Sequence, residues 1–251
     1  LGNGADVLQV SSGATAHATL SGAWTATSAS SNSGVANLFS AGHAVDLSAA
    51  SGTAGFSVTN TGGATSLVGS ARGDTLIGGS GNDTLTGGAG NDIFQFASTG
   101  NGIDIIADFA VNDTISINMA ASLGTVTSGN GSTVALGAVE VNTLSTTTEV
   151  YFDTNGLPGA EIKIVLMGVY APNQFVASGN YLQLVPSNNA PTATNLNAAE
   201  IYTENTPLNL TDIVISDVDS ANVTATLTLS NPAAGALSTA TSGGVTSTYN
   251  A

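Results

Sequence analysis

Cysteine is absent from the 251 residues, and only two residues are basic, Arg72 and Lys163, against seventeen acids. Without cysteine there is no disulfide, no thiolate metal site and no thiol nucleophile, so stability has to come from another kind of cross-link. The formal charge of −15 excludes nucleic acid as a partner, because phosphates demand a basic surface. It also opposes anionic membrane. No apolar stretch is long enough to cross a bilayer as a helix, so no membrane insertion is expected. The two histidines, His17 and His43, lie among small residues, and neither belongs to an H-E-x-x-H motif. There is no G-x-S-x-G elbow, and the glycine-rich run leads into Asp where a phosphate cradle needs Lys. The chain is not expected to be an enzyme. Its few aromatics form no platform for stacking sugars, and no flat threonine array stands out for binding ice.

What is abundant is Gly, Ser, Thr, Ala and Asn, a mixture suited to an all-β protein with many small turns and unlike a helical bundle. Three consecutive nonapeptides stand out: Gly69–Ile77 (GSARGDTLI), Gly78–Thr86 (GGSGNDTLT) and Gly87–Gln95 (GGAGNDIFQ). Together they give the pattern G-G-x-G-x-D-x-U-x, where U is a large apolar residue. Six residues of Gly, Asn and Asp make a tight turn. The remaining x-U-x makes a minimal strand with one side chain, Leu76, Leu85 or Phe94, pointing to one face. A turn and a strand repeated at fixed period wind into a parallel β-solenoid with the U residues stacked inside. The sixth-position acids Asp74, Asp83 and Asp92 are then expected along the outside of the coil. Carboxylates stacked there repel unless a cation lies between them, and an oxygen-rich cage of that kind selects calcium.

These repeats resemble the repeats-in-toxin (RTX) β-roll of bacterial type I secreted proteins. In that family two nonapeptides complete one coil, which implies that Asp74 and Asp92 share one side and that Asp83 lies on the other. The resemblance implies Ca2+ as the bound ion, two to four ions in all. The implied ligands are Gly69, Ala71, Gly73 and Asp74 in the first turn, Gly78, Ser80, Asn82 and Asp83 in the second, and Gly87, Ala89, Asn91 and Asp92 in the third. Arg72 stands where the first repeat should carry its fourth-position glycine. Asn60–Val68 has the form of a degenerate earlier repeat that adds Leu67 to the core but no carboxylate. Gly2–Gln9 matches positions two to nine of the same motif, so the chain is expected to be a piece of something longer.

On either side of the repeats the pattern loosens. Short apolar patches at Ala23–Trp24, Val35–Phe39, Ala44–Leu47 and Phe56–Val58 read as strands of a wider coil continuous with the roll, with Trp24 in the core or plugging an end. After the repeats, Ile103–Phe109 and Asp113–Ile117 resemble the segment that closes RTX rolls in secreted proteases and lipases. On that resemblance Asp104, Asp108 and Asp113 are either further calcium ligands or ordinary loop acids. Strands are expected at 134–141, 149–153, 162–168 and 181–185, and a short helical turn at 171–177, where Pro172 suits an early helical position. Asp153–Glu161 resembles a worn calcium loop, but a plain hairpin is the better reading. Pro186–Thr192 has the composition of a linker. Beyond it, residues 204–208 and 216–220 resemble the cadherin-like tandem modules of bacterial surface proteins. That resemblance makes Glu204, Asp217 and Asp219 either calcium ligands or members of a solvated turn.

The expected architecture is therefore all-β: a β-solenoid over 1–118 containing the roll at 69–95, a β-rich cap at 119–185, a linker at 186–192, and an incomplete cadherin-like β-sandwich at 193–251. The resemblance implies a bacterial extracellular or cell-surface protein exported by type I secretion and folding on external calcium. Its partners would be calcium itself and either other surface-protein copies or a host or abiotic surface. The adhesin, filament or surface-layer role stands against one alternative, the non-catalytic C-terminal tail of a type I secreted hydrolase.

Overall fold

The computed structural model describes residues 1–2, 6–185, 192–194 and 214–216. The chain divides into two units, Leu1–Pro186 and Ser187–Ala251. The first unit is a parallel β-solenoid of about six turns.

Its first three coils have three sides. They run β1 (Gln9–Val10), β2 (Thr15–Thr19) and β3 (Trp24–Thr25), then β4 (Ser31–Asn32), β5 (Val35–Phe39) and β6 (Val45–Asp46), then β7 (Ser51–Gly52), β8 (Phe56–Thr59) and β9 (Ser66–Val68). The nonapeptides then make two-sided coils: β10 (Thr75–Ile77) with β11 (Thr84–Thr86), and β12 (Ile93–Ala97) with β13 (Ile103–Ile106), after which β14 (Thr114–Asn118) begins the last. Every strand of these coils pairs in parallel with its equivalents one coil away. The wide coils expected before the repeats are therefore present, and they carry a third sheet, β1-β4-β7.

That third side ends for a visible reason. Its inward column is Val10, Asn32, Gly52, which shrinks to no side chain at all. Gly52 has φ +117°, and a Cβ there would run into the Asn32 backbone. With nothing left to bury on this side, the next coil omits it: Thr75 pairs with Ser57 eighteen residues earlier.

The core is two ladders of single side chains. One runs Leu38, Val58, Leu76, Phe94, Ile115, and the other Trp24, Val45, Leu67, Leu85, Ile106. All ten side chains are buried, each contributing about 1.5–3 kcal/mol relative to exposure. This is the stacking of U residues that the nine-residue period demands.

The far end is covered by six more strands. They are β15 (Thr125–Ser128), β16 (Ala138–Thr143), β17 (Thr147–Phe152), β18 (Ile162–Met167), β19 (Phe175–Ser178) and β20 (Tyr181–Leu184). β18 extends one sheet through β13 and β20 closes the other through β14, so neither sheet of the roll ends in a bare edge here. The Asp153–Glu161 segment links antiparallel β17 and β18 as a hairpin. The helical turn expected at 171–177 is reduced to a single 3-10 turn, Pro172–Gln174, and Phe175 onward is strand. In the second unit, β21 (Thr192–Thr194) and β22 (Val214–Ser216) pair antiparallel. Glu204, Asp217 and Asp219 lie outside the described residues.

Candidate metal centre

The repeat acids do not sit on the outside of the coil. Asp74, Asp83 and Asp92 are each only 1% exposed. The cause is local: the glycine turns curl over the carboxylates so closely that a Cβ at Gly78 would lie 2.8 Å from Asp83 Oδ2. The acids are thus held within the turn, under backbone, and not displayed to solvent.

Each carboxylate uses one oxygen to bind the neighbouring coil. On one side of the roll, the Asp74 N–H donates to Asp92 Oδ1 at 2.7 Å and the Asp92 N–H to Asp113 Oδ1 at 3.0 Å. On the other side, the Thr65 N–H donates to Asp83 Oδ1 at 2.7 Å and the Asp83 N–H to Asp104 Oδ1 at 2.8 Å. Asp74 and Asp92 therefore share a side, Asp83 and Asp104 share the opposite one, and Asp113 continues the first.

The second oxygens divide into two groups. Among the described residues, three buried side-chain oxygens have no hydrogen-bond partner: Oδ2 of Asp83, of Asp92 and of Asp104. The others are satisfied by protein. Asp74 Oδ2 accepts from the Ser70 N–H at 2.6 Å and the Ser70 hydroxyl at 3.0 Å. Asp113 Oδ2 accepts from the Ala110 N–H at 2.8 Å. Asp108, only part-buried, grips the third repeat's turn, accepting from the Gly87 and Gly88 N–H groups, both at 2.8 Å.

Burial controls the charge of these groups. It pushes the Asp104 carboxyl up to about 7, with nearby Asp83 adding to the rise. Burial likewise raises Asp92 to about 6, helped by Asp113, Asp74 and Asp108. Asp74, Asp83 and Asp113 are raised for the same leading reason. Bare, buried, mutually repelling carboxylate oxygens are costly, and a hard divalent cation relieves all three penalties at once. The residues present therefore fit calcium. Among the described residues no three or more His, Cys, Asp or Glu side chains cluster as a metal site. An ion held here must draw further ligands from main-chain carbonyls, a donor type calcium accepts readily. The residues at 69, 71, 73, 78, 80, 87, 89 and 91 belong to these turns; the Ser80 hydroxyl donates to the Gly62 carbonyl at 3.2 Å, and Asn82 Oδ1 accepts the Ile103 N–H at 2.9 Å.

Two residues with a part in this arrangement were not legible as such. Asn60 accepts from the Gly42 and Gly62 N–H groups and the Ser40 hydroxyl, and it donates to the Gly63 carbonyl at 2.7 Å and to Asp83 Oδ1 at 3.4 Å. Ser70 closes over Asp74 as described. Both stand where the repeat pattern calls for glycine, and that departure is the signal in the sequence.

No curated protein matches the chain. Residues 59–95 match the family described as RTX calcium-binding nonapeptide repeat (4 copies), so the match takes in the degenerate repeat Asn60–Val68 as well as the three regular ones. Repeats of this family bind Ca2+. Sequence match and coil geometry thus agree on the same turns, and the chain carries RTX-type calcium-binding nonapeptide repeats built into a parallel β-solenoid.

Proposed function

We propose that the chain is a structural, non-catalytic segment of a secreted protein, held together in its roll by calcium. In this reading Oδ2 of Asp83, Asp92 and Asp104 are the side-chain ligands, joined by carbonyls of the surrounding turns, while Asp74, Asp108 and Asp113 brace the coils from either end. The three orphaned carboxylate oxygens carry this reading. Calcium supplies positive charge between the rungs; the protein supplies the spacing and shields the site from water.

RTX repeats are typical of secreted proteins, and among the described residues no helix is long and apolar enough to cross a membrane. Extracellular modules bind calcium at about 10⁻⁴–10⁻³ M, so the roll would stay open where calcium is scarce and close where it is plentiful, metal-binding energy becoming folding energy. The role that suits a rigid, metal-clamped spacer is mechanical: a segment of an adhesin, filament or surface layer.

Circular dichroism of the full chain with calcium and with excess EGTA tests the reading. A large loss of strand signal on chelation, restored by calcium but not by magnesium, is the expected result. A strand spectrum indifferent to chelator would overturn it.

A further inference from the structure

The calcium-dependent roll grows directly out of three coils built on different terms. Only Asp6 and Asp46 are acidic among the first sixty residues, whereas Asp74, Asp83, Asp92, Asp104, Asp108 and Asp113 crowd the next fifty-eight. Asp46 is satisfied locally, accepting from the Ser48 N–H and hydroxyl. The column that holds Asp74, Asp92 and Asp113 in the roll is apolar in the wide coils. Ala36 pairs with Phe56, and the Phe56 N–H donates to Asp74 Oδ1 at 2.5 Å. The wide coils bury Ser30, Asn32, Ser40 and Asn60, and each of these has a hydrogen-bond partner.

At the junction, three departures from the glycine pattern, Asn60, Ser70 and Arg72, each bring a nitrogen or hydroxyl donor to an oxygen. On one side the Asn60 amide donates both to the Gly63 carbonyl and toward Asp83. On the other, Arg72 Nε donates to the Gly52 carbonyl at 2.9 Å, at the point where the third sheet stops and no further strand arrives. Ser70, two residues earlier, supplies both donors to Asp74 Oδ2.

We propose that Asn60, Ser70 and Arg72 stand in for the cation where the three-sided coils meet the roll. The coils before residue 60 then hold their fold without divalent metal and form a permanent template on which the roll winds when calcium arrives. The carbonyls and carboxylate that would face a metal at this boundary face a covalently attached donor instead. Calcium binding therefore begins at a fixed rung and cannot spread towards the N-terminus. The template presents β8 and β9 as ready-made edges, so the first calcium-binding coil pairs with existing strands and has no need to nucleate alone.

This inference rests on the calcium reading above, and one experiment separates the two. Hydrogen exchange of the full chain is followed by mass spectrometry with excess calcium and with excess EGTA, alongside the emission of Trp24, the single tryptophan, which is buried in β3. The expected result is that chelation speeds exchange in β10–β13 by about tenfold or more while β4–β6 keep their protection, with Trp24 emission unchanged. Loss of protection in β4–β6 together with the roll, with a red shift of Trp24, overturns the template while leaving the calcium reading intact. No change anywhere overturns both.

Asn60→Asp supplies the second test. It replaces the donor with a carboxylate facing Gly63 and Asp83, so the protection of β8 and β9 should become calcium-dependent. Arg72→Gly restores the repeat pattern, and it should lower the protection of β7 in EGTA. If both variants exchange like the parent in EGTA, these side chains do not replace the cation.

Discussion

The Asp74 N–H donates to Asp92 Oδ1 at 2.7 Å, from one coil of the roll to the next. The same relationship recurs between Asp92 and Asp113 and, on the opposite side, between Asp83 and Asp104. Each acid therefore has two tasks: one oxygen ties adjacent coils through the backbone, and the other is left to its surroundings. Where the surroundings supply a donor, as Ser70 does for Asp74, the acid is complete. Where they do not, it calls for a cation.

The charge state of these acids gives the metal-free protein a definite pH dependence. Burial raises Asp92 to about 6 and Asp104 to about 7 from the usual 3.8. The native state therefore holds protons that the unfolded chain releases. Their contribution is fully present below about pH 4 and lost as pH rises through about 6 to 7. In calcium-free buffer, where the roll opens at neutral pH, protonation of these acids should restore part of its strand signal by circular dichroism at pH 5 relative to pH 8. Glu149 has the opposite sign: its bond with Lys163, at 2.6 Å, and that with Tyr151 lower it to about 2. Its contribution is present above the usual 4.5 and is lost only as pH falls towards 2. With excess calcium the order between pH 5 and pH 8 should invert, because protons then compete with metal.

Gly78→Ala tests the closeness of the turn. The added Cβ would sit 2.8 Å from Asp83 Oδ2 and 3.2 Å from its carboxyl carbon, displacing the oxygen assigned to the ion. Calcium titration followed by calorimetry should show one class of site weakened by about tenfold or more, equivalent to roughly 1.4 kcal/mol. Sites on the Asp92 side should be unaffected.

Leu85→Ala removes one rung of the buried ladder between Leu67 and Ile106. The loss should be about 2–5 kcal/mol, measured by denaturant midpoint in calcium. Ile93, 37% exposed on the outer face of β12, is its control; Ile93→Ala should shift stability by about 0.5 kcal/mol or less.

Tyr170→Phe tests how the far end is fastened. The Tyr170 hydroxyl donates to the Phe109 carbonyl at 2.7 Å, and Phe109 packs edge-on against Phe94 in the roll, their ring centroids 6.2 Å apart. Removing the hydroxyl should cost about 1 kcal/mol, seen as faster exchange in β19 and β20.

The nine-residue period made the coils legible, because one apolar residue per repeat leaves a single way to stack Leu76 on Phe94. The third side was not legible: Gln9–Val10, Ser31–Asn32 and Ser51–Gly52 are too short and too polar to signal a sheet. The burial of Asp74, Asp83 and Asp92 was also hidden. A polar residue in a glycine turn suggests exposure, and only the coil's curvature brings backbone over it. Pro172 suggested a helical start, yet Phe175 pairs with Leu184 across β19 and β20, and that pairing overrode the local preference. Asn60 and Arg72 read only as worn motif positions, and Ser70 carried no reading at all; their donors reach specific oxygens only in the folded coil.

The most direct measurement is a crystal structure grown in calcium, with anomalous scattering used to locate the ions. Ions are required about 2.3–2.6 Å from Oδ2 of Asp83, Asp92 and Asp104, with none coordinated by Asn60 or Arg72. Finding those three oxygens bonded only to water or protein, with no ion on either side of the roll, would contradict the calcium reading.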